Sequence, residues 1–167
     1  METLDAEHLR SVAALWRATR RELRTSFQGS SMRPTIEPGE PVILRCTDSV
    51  APGDVVAVAS GRDVLVHRLV AMSHDRWWLL RGDANNFCDV PITDRESIIG
   101  RIESVERNGR LLGLDAPPRP RLFARVTTAI VHQLLGVNVT LGVAAARLLI
   151  EMRRLLIGVL SRRPNPS

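Results

Sequence analysis

The sequence predicts a mainly β domain with a flanking N-terminal helix and a C-terminal helical tail. Three observations lead to this fold class. The middle of the chain contains short apolar segments separated by Pro-Gly or Gly turns, which is typical of a β-sheet or a partly open barrel. Residues 4–24 have the apolar spacing of an amphipathic helix, and residues 121–161 form a long apolar stretch of helical composition.

The turns divide the middle of the chain into predicted strands. Residues 37–40 and 51–54 each contain Pro-Gly, and Gly supplies the positive φ that such turns require. Asn108-Gly109 is typical of a tight β-hairpin turn. The predicted strands cover residues 41–45, 55–60, 64–72, 77–81, 98–105 and 110–114.

The flanking segments determine the predicted domain organisation. Residues 1–26 are assigned to an amphipathic N-terminal helix, and residues 27–115 to the β-rich domain. Residues 116–120 are a stiff Pro-rich linker, and residues 121–161 are the helical tail. The N-terminal helix either packs on the domain or contacts a membrane or a partner protein.

The tail is predicted to associate with a membrane, on a side that the sequence leaves open. Residues 127–150 are mostly apolar and long enough to form a transmembrane helix, although His132 and Arg147 are unfavourable inside a bilayer. The later part of the tail is amphipathic, which indicates an interfacial helix or a helix packed on protein. A break within residues 136–142 would turn the tail into a helical hairpin.

Composition narrows the possible partners and cofactors. The net charge is +5, and all 23 cationic residues are arginine, clustered towards the two ends beside apolar segments. This pattern favours an anionic membrane surface over nucleic acid, and the absence of Tyr also argues against nucleic-acid binding. Cys46 and Cys88 lack the spacing of a metal site, so no metal or organic cofactor is predicted. Two free thiols are favoured over a disulfide.

Three separate polar segments contain the residue types of a serine hydrolase. The first is a loop with Ser30 and Ser31, the second a predicted strand with His67, and the third a loop with Asp83 and Asp89. In a Ser–His–Asp triad, His takes the Ser proton, and Asp orients and stabilises His. The residue types alone are a weak signal, because ordinary turns and buried core histidines use them as well.

The order and surroundings of these residues resemble the type I signal peptidase family. The matching segments are Ser-Met-Arg-Pro-Thr at residues 31–35, a Pro-Gly turn into a strand, Val-His-Arg at 66–68, and Gly-Asp-Ala-Asn-Asn at 82–86. The resemblance covers residues 27–115 and is closest to the Ser–His branch found in archaea and the endoplasmic reticulum. It implies a β-sheet domain like that of signal peptidases and self-cleaving SOS repressors. The repressors and the bacterial main branch have a Lys where this chain has His67, and this chain contains no Lys.

The resemblance also implies a role for each residue of the site. Ser31 directly precedes the Met of Ser-Met-x-Pro and is the implied nucleophile, while His67 is the implied base. Asp89 is favoured as the triad carboxylate and Asp83 as a supporting carboxylate, and the opposite assignment stays open. Backbone N–H groups near Ser31 are expected to hold the oxyanion. The implied substrate-binding residues surround the nucleophile: Gly29, Ser30, Met32 and Pro34.

The implied activity is that of a serine endopeptidase that cleaves a signal or leader peptide after small residues. The substrate is expected to bind as an extended segment beside a strand of the sheet. Most signal peptidases have a transmembrane helix just before the serine, and residues 1–26 do not have this character. Two alternatives stay open. One is a dedicated leader-trimming protease of a modified-peptide pathway, and the other is a non-catalytic peptide-binding or regulatory module on the same fold.

Overall fold

The computed structural model describes residues 6–19, 21–73, 76–114 and 122–160. Within these ranges, a mainly antiparallel β-sheet follows one helix and precedes two others, so the predicted fold class is confirmed. The helices are α1 (Ala6–Thr19), α2 (Leu122–Val137) and α3 (Val139–Leu160). The strands are β1 (Glu22–Ser26), β2 (Pro41–Arg45), β3 (Val55–Ser60), β4 (Asp63–Ser73), β5 (Trp77–Arg81), β6 (Ile98–Arg107) and β7 (Arg110–Gly113). The linker predicted at residues 116–120 lies outside the described residues.

The sheet has the strand order β1-β2-β6-β3-β4-β5, and β7 pairs with the end of β6. The long strand β6 is central, because it pairs with β2, β3 and β7 along its length. The hairpin turn predicted between β6 and β7 is confirmed, since Asn108 and Gly109 have φ values of 54° and 72°. The order places β4 and β5 beside each other at one side of the sheet, where the two later segments of the predicted site lie.

The core consists of hydrophobic clusters on both faces of the sheet. Alternate residues of β3 contribute to different clusters, because successive side chains of a strand point to opposite faces. The first cluster includes Ala13 and Trp16 of α1, so this helix packs on the sheet. The second cluster contains Trp78 and Leu80 of β5. Hydrophobic side chains therefore cover both faces of the strands that carry the predicted site.

The N-terminal helix is shorter than predicted. α1 ends at Thr19, and Glu22–Ser26, which was predicted to belong to the N-terminal helix of residues 1–26, is the edge strand β1. β1 pairs with β2 along its whole length. Helix propensities differ by only about 0.7 kcal/mol per residue, so the backbone hydrogen bonds of a strand pair outweigh them.

The helical tail is a hairpin packed on β5. The side-chain oxygen of Asn138 accepts a hydrogen bond from the N–H of Thr140 at 2.8 Å and caps the start of α3. The continuous span predicted over residues 127–150 is therefore wrong, and the break predicted within residues 136–142 is confirmed. In the described part of the chain, no helix is both long and apolar enough to cross a membrane. The hairpin and the sheet share a third cluster: Trp77, Leu79, Cys88, Val131, Leu135 and Ala146.

Candidate active site

Ser31, His67 and Asp89 come together from three separate segments and form a continuous hydrogen-bonded series. The Nε2 atom of His67 lies 2.8 Å from the Oγ atom of Ser31. The Nδ1 atom of His67 is hydrogen-bonded to the Asp89 carboxylate. A neutral imidazole that donates from Nδ1 to the carboxylate leaves Nε2 free to accept a proton from the serine hydroxyl.

β4 holds His67 in a fixed position. The strand is central at this point, and His67 lies opposite Val56 of β3, with only 3% of its surface exposed. Leu69, two residues further along β4 on the same face, belongs to the second hydrophobic cluster. The apolar surroundings exclude water from most of the ring, while the serine and the aspartate satisfy its two nitrogen atoms.

The chain segment after β5 returns along that strand and brings Asp89 back to the site. The Asp89 N–H donates to the Leu80 carbonyl at 2.9 Å. Further on, Trp78 and Ile92 exchange two backbone hydrogen bonds, of 2.8 and 2.9 Å. This pairing closes the loop of residues 82–89, so that Asp89 lies beside the end of β5, next to His67.

Gly82 allows the loop of residues 82–89 to approach Ser31 closely. A Cβ atom at this position would lie 2.6 Å from the Ser31 carbonyl oxygen and 2.9 Å from the Nε2 atom of His67, so no other residue fits without a shift. The neighbouring Ala84 N–H donates to the same Ser31 carbonyl at 2.9 Å. Gly82 begins the Gly-Asp-Ala-Asn-Asn motif of residues 82–86, but it was not predicted as a site residue. The signal was a glycine at the start of a polar loop, where close backbone approach is a usual reason for Gly.

Asp83 does not contact His67 through any hydrogen bond, and binds Arg68 instead. The guanidinium of Arg68 donates to both carboxylate oxygens of Asp83, at 2.9 and 2.8 Å, and both side chains are at least 95% buried. The hydroxyl of Thr35 donates to the same carboxylate at 2.5 Å. Asp83 therefore connects the loop that contains Ser31 and Thr35 to β4. Arg68 and Thr35 were not predicted as site residues, although Thr35 ends the Ser-Met-Arg-Pro-Thr motif and Arg68 ends the Val-His-Arg motif.

The predicted substrate-binding residues occupy different environments. Gly29 and Ser30 are exposed beside Ser31, and Pro34 is exposed on the same loop. Met32 is only 3% exposed and packs in the first hydrophobic cluster, beneath the loop. Met32 thus anchors the loop to the core, and Gly29, Ser30 and Pro34 line its open surface.

The helical tail packs against the loop of residues 82–89, a contact that was not predicted. The Thr127 hydroxyl of α2 donates to the Asn86 carbonyl at 2.9 Å. The rings of Phe87 and Phe123 pack edge to face, with centroids 5.3 Å apart. No local pattern in the sequence pairs a loop with a helix about 40 residues later, so this contact was not predictable.

Cys46 and Cys88 are free and buried. Burial raises the pKa of both thiols. At Cys88, a hydrogen bond with the Thr128 hydroxyl and the positive charge of Arg81 partly oppose this increase in pKa. Neither thiol is activated, since a reactive cysteine needs a lowered pKa. Among the described residues, no group of His, Cys, Asp or Glu side chains is arranged to hold a metal ion.

The fold and this arrangement define a β-rich protein of the serine-peptidase type. The sequence model of the Peptidase S24-like family matches residues 8–103, which is more than half of the chain, and the protein belongs to this family. Neither the curated proteins nor the solved structures give a match to the chain. The matched region contains the Ser31, His67 and Asp89 site, and it ends within β6, so that α2 and α3 lie beyond it.

Proposed function

We propose that the protein is a serine endopeptidase in which Ser31 is the nucleophile. The observation that supports this most strongly is the hydrogen-bonded series from Ser31 through His67 to Asp89. In the proposed mechanism, Nε2 of His67 takes the Ser31 proton as Oγ attacks the scissile carbonyl, and later gives it to the leaving amine. Asp89 holds the ring in the required tautomer and stabilises the imidazolium that forms.

Backbone N–H groups of the nucleophile loop are available to stabilise the oxyanion. In the described part of the chain, the N–H groups of Ser31 and Met32 donate no hydrogen bond. Because Met32 is fixed in the core, the loop is held rigidly before a substrate binds. Preorganised donors at the developing negative charge contribute about 10²–10³ to the rate of such reactions.

The proposed substrate is an extended signal or leader peptide with small residues before the cleaved bond. Residues 31–35, 66–68 and 82–86 support this proposal through their resemblance to the Ser–His branch of the signal peptidases. β1 is an edge strand that leads towards the nucleophile loop. A peptide added to a sheet edge gains main-chain hydrogen bonds, and its alternate side chains enter pockets that set specificity.

The test compares wild type, Ser31→Ala and Ser30→Ala on a precursor peptide that carries Ala-x-Ala, with products read by mass spectrometry. Ser30→Ala is the matched control, since it removes the adjacent hydroxyl and leaves the triad intact. We expect cleavage after the second Ala by wild type and Ser30→Ala, and a loss of at least about 10⁴-fold in Ser31→Ala. Equal cleavage by wild type and Ser31→Ala would exclude Ser31 as the nucleophile.

A phosphonate that reacts with activated serines separates the remaining alternatives. Labelling of Ser31 without cleavage of the Ala-x-Ala peptide would indicate a protease dedicated to another leader. Absence of both labelling and cleavage would indicate a non-catalytic peptide-binding module. Ser31→Ala is the control for the site of labelling.

We also propose that the tail associates with an anionic membrane surface. α3 exposes apolar side chains at a helical spacing, and α2 exposes a further set. Within the described part of α3, Arg147, Arg153 and Arg154 outnumber the one acid, Glu151. An apolar stripe beside cationic side chains is the pattern of a helix that lies in the membrane interface. The exposed apolar residues are Leu141, Leu148, Met152 and Leu155 on α3, and Leu122, Phe123, Val126, Ile130 and Val137 on α2.

Vesicle sedimentation tests this membrane proposal. Wild type is expected to sediment with vesicles that contain phosphatidylglycerol and to remain in solution with phosphatidylcholine alone. The variant Leu148→Gln, Met152→Gln, Leu155→Gln should lose this binding, while the control Leu111→Gln, Leu112→Gln on β7 should keep it. Binding that is equal for all three proteins would show that α3 does not contact the membrane.

A further inference from the structure

A cavity of about 480 Å³ lies between β4, β5 and α2. Its volume is within the range of about 300–1,000 Å³ that small-molecule sites occupy. Ser31, His67 and Asp89 do not line the cavity, whereas Arg68 does, and the side chain of His67, which precedes Arg68 on β4, points to the opposite face of the strand. The cavity is therefore a separate site from the proposed peptide-binding site.

Arg81 places an unpaired positive charge against this cavity. The residue is 9% exposed, and its Nη1 atom donates to the Thr128 hydroxyl at 2.9 Å and to the Ala124 carbonyl at 3.3 Å. Both partners are neutral, and no carboxylate of a described residue forms an ion pair with Arg81. A buried cation is costly when no anion compensates it. Arg68 differs in this respect, because Asp83 neutralises it.

The rest of the cavity wall combines a second cation with apolar surface. Arg125 of α2 lines the cavity and makes no ion pair within the described part of the chain. Val70, Ala71 and Ala129 supply an apolar wall. Asp83 is the one acid at the cavity among the described residues, and Arg68 already binds it. The lining thus has an excess of positive charge next to an apolar surface.

We infer that this cavity binds an anionic amphiphile, with a phosphate or carboxylate head held by Arg81 and Arg125 and a short apolar body held against Val70, Ala71 and Ala129. A guanidinium presents a planar fork of N–H donors that matches the oxygen atoms of a phosphate or carboxylate. The Nε and Nη2 groups of Arg81 donate to no described residue and are available for this contact. The apolar wall distinguishes such a ligand from a free inorganic anion.

Isothermal titration calorimetry with octyl phosphate, at concentrations below micelle formation, tests the inference. Inorganic phosphate and octanol are the comparison ligands, because each has only one half of the proposed chemistry. Arg81→Gln and Arg125→Gln remove the two cations, and Ala129→Trp fills the cavity from an exposed helix position. Arg147→Gln on α3 is the matched control, since it removes an exposed arginine that does not line the cavity.

We expect octyl phosphate to bind wild type and Arg147→Gln with equal affinity, and about tenfold more weakly to Arg125→Gln, since one charge-assisted hydrogen-bond partner is lost. Ala129→Trp should abolish binding. Because Arg81→Gln alters a buried residue, Arg125→Gln and Ala129→Trp test the inference if that variant fails to fold. Equal affinity of wild type, Arg125→Gln and Ala129→Trp would overturn the site. Equal affinity for inorganic phosphate and octyl phosphate would overturn the apolar part of the assignment.

Discussion

His67 and Arg68 are neighbours on β4, and both are 3% exposed, yet they bind different aspartates of the same loop. His67 is hydrogen-bonded to Asp89 on one face of the strand, and Arg68 to Asp83 on the other. Two consecutive strand residues point to opposite faces, so one loop is held at two points with different chemistry. A single strand thus separates the contact that we propose takes part in catalysis from a structural one.

The two contacts differ in exposure and in the number of hydrogen bonds that each carboxylate receives. The Asp83 carboxylate is 3% exposed and receives two hydrogen bonds from Arg68 and one from Thr35. The Asp89 side chain is 25% exposed and binds an imidazole that can be neutral or charged. The Arg68–Asp83 pair is therefore suited to fix the loop permanently, and the His67–Asp89 pair to accommodate a change of charge during the reaction.

The largest expected effect is on catalysis, in Asp89→Asn. An asparagine keeps the shape of the side chain but favours the wrong tautomer of His67, so we expect kcat to fall by about 10⁴-fold. The melting temperature should change little, since Asp89 is partly exposed. Peptide cleavage and thermal unfolding are measured in parallel, with Asp63→Asn, an exposed aspartate at the start of β4, as the control. A smaller loss of kcat than in Asp83→Asn would reverse the assignment of the two aspartates.

Asp83→Asn is expected to reduce stability instead. The substitution leaves the buried Arg68 without an anion, which costs about 3–5 kcal/mol of unfolding free energy. Urea denaturation measures this loss. The double variant Arg68→Met, Asp83→Leu should be more stable than Asp83→Asn alone, because no uncompensated charge remains in the core. If the double variant is the less stable of the two, the contribution of Asp83 does not come from pairing with Arg68.

Thr127→Val tests the contact between α2 and the loop of residues 82–89. The lost hydrogen bond to the Asn86 carbonyl should reduce the unfolding free energy by about 1 kcal/mol. A loosened loop positions Asp89 less accurately, and we expect a drop in kcat of less than tenfold, with KM unchanged. Thr140→Val, an exposed substitution on α3, is the control. An unchanged kcat in a destabilised Thr127→Val would show that α2 does not position the loop.

The smallest effect is expected at the surface pair of Arg107 and Glu40, which resembles the buried pair of Arg68 and Asp83 in geometry. Arg107 donates to both carboxylate oxygens of Glu40, at 2.5 and 2.8 Å, and this hydrogen bonding lowers the pKa of Glu40 below 4.5. The contribution of the Arg107–Glu40 pair to the unfolding free energy is therefore present above pH 4.5. It is lost as the pH falls through the lowered pKa of Glu40 in the folded protein.

Glu40→Gln should reduce the unfolding free energy at pH 7 by about 0.2–1 kcal/mol, because solvent still reaches and screens this partly exposed pair. The difference in unfolding free energy between wild type and Glu40→Gln should disappear as Glu40 becomes protonated in acid. Urea denaturation at pH 7 and at successively lower pH measures the unfolding free energies of both proteins. A loss as large as that of Asp83→Asn would show that burial does not distinguish the two pairs.

Much of the fold follows from local sequence signals. The predicted bounds of β2, β3 and β5 agree with the structure, because Pro-Gly and Gly turns and apolar runs mark them locally. β1 was missed because residues 22–26 carry no strand pattern of their own and become a strand by pairing with β2. The same reason explains the tail: its apolar character was evident, whereas its packing on Trp77 and Leu79 depends on residues far away in the sequence.

The sequence by itself determined the β-rich fold class, the three polar segments and the choice of Ser31 and His67 as candidates, since these depend on local patterns and on motif order. Only the tertiary structure decided which aspartate reaches His67. Asp83 and Asp89 are six residues apart in one loop. Asp83 lies on the face of β4 that carries Arg68, and Asp89 lies on the face that carries His67. Long-range contacts of this loop with β4, α2 and the hydrophobic core determine these positions, and no local sequence pattern predicts them.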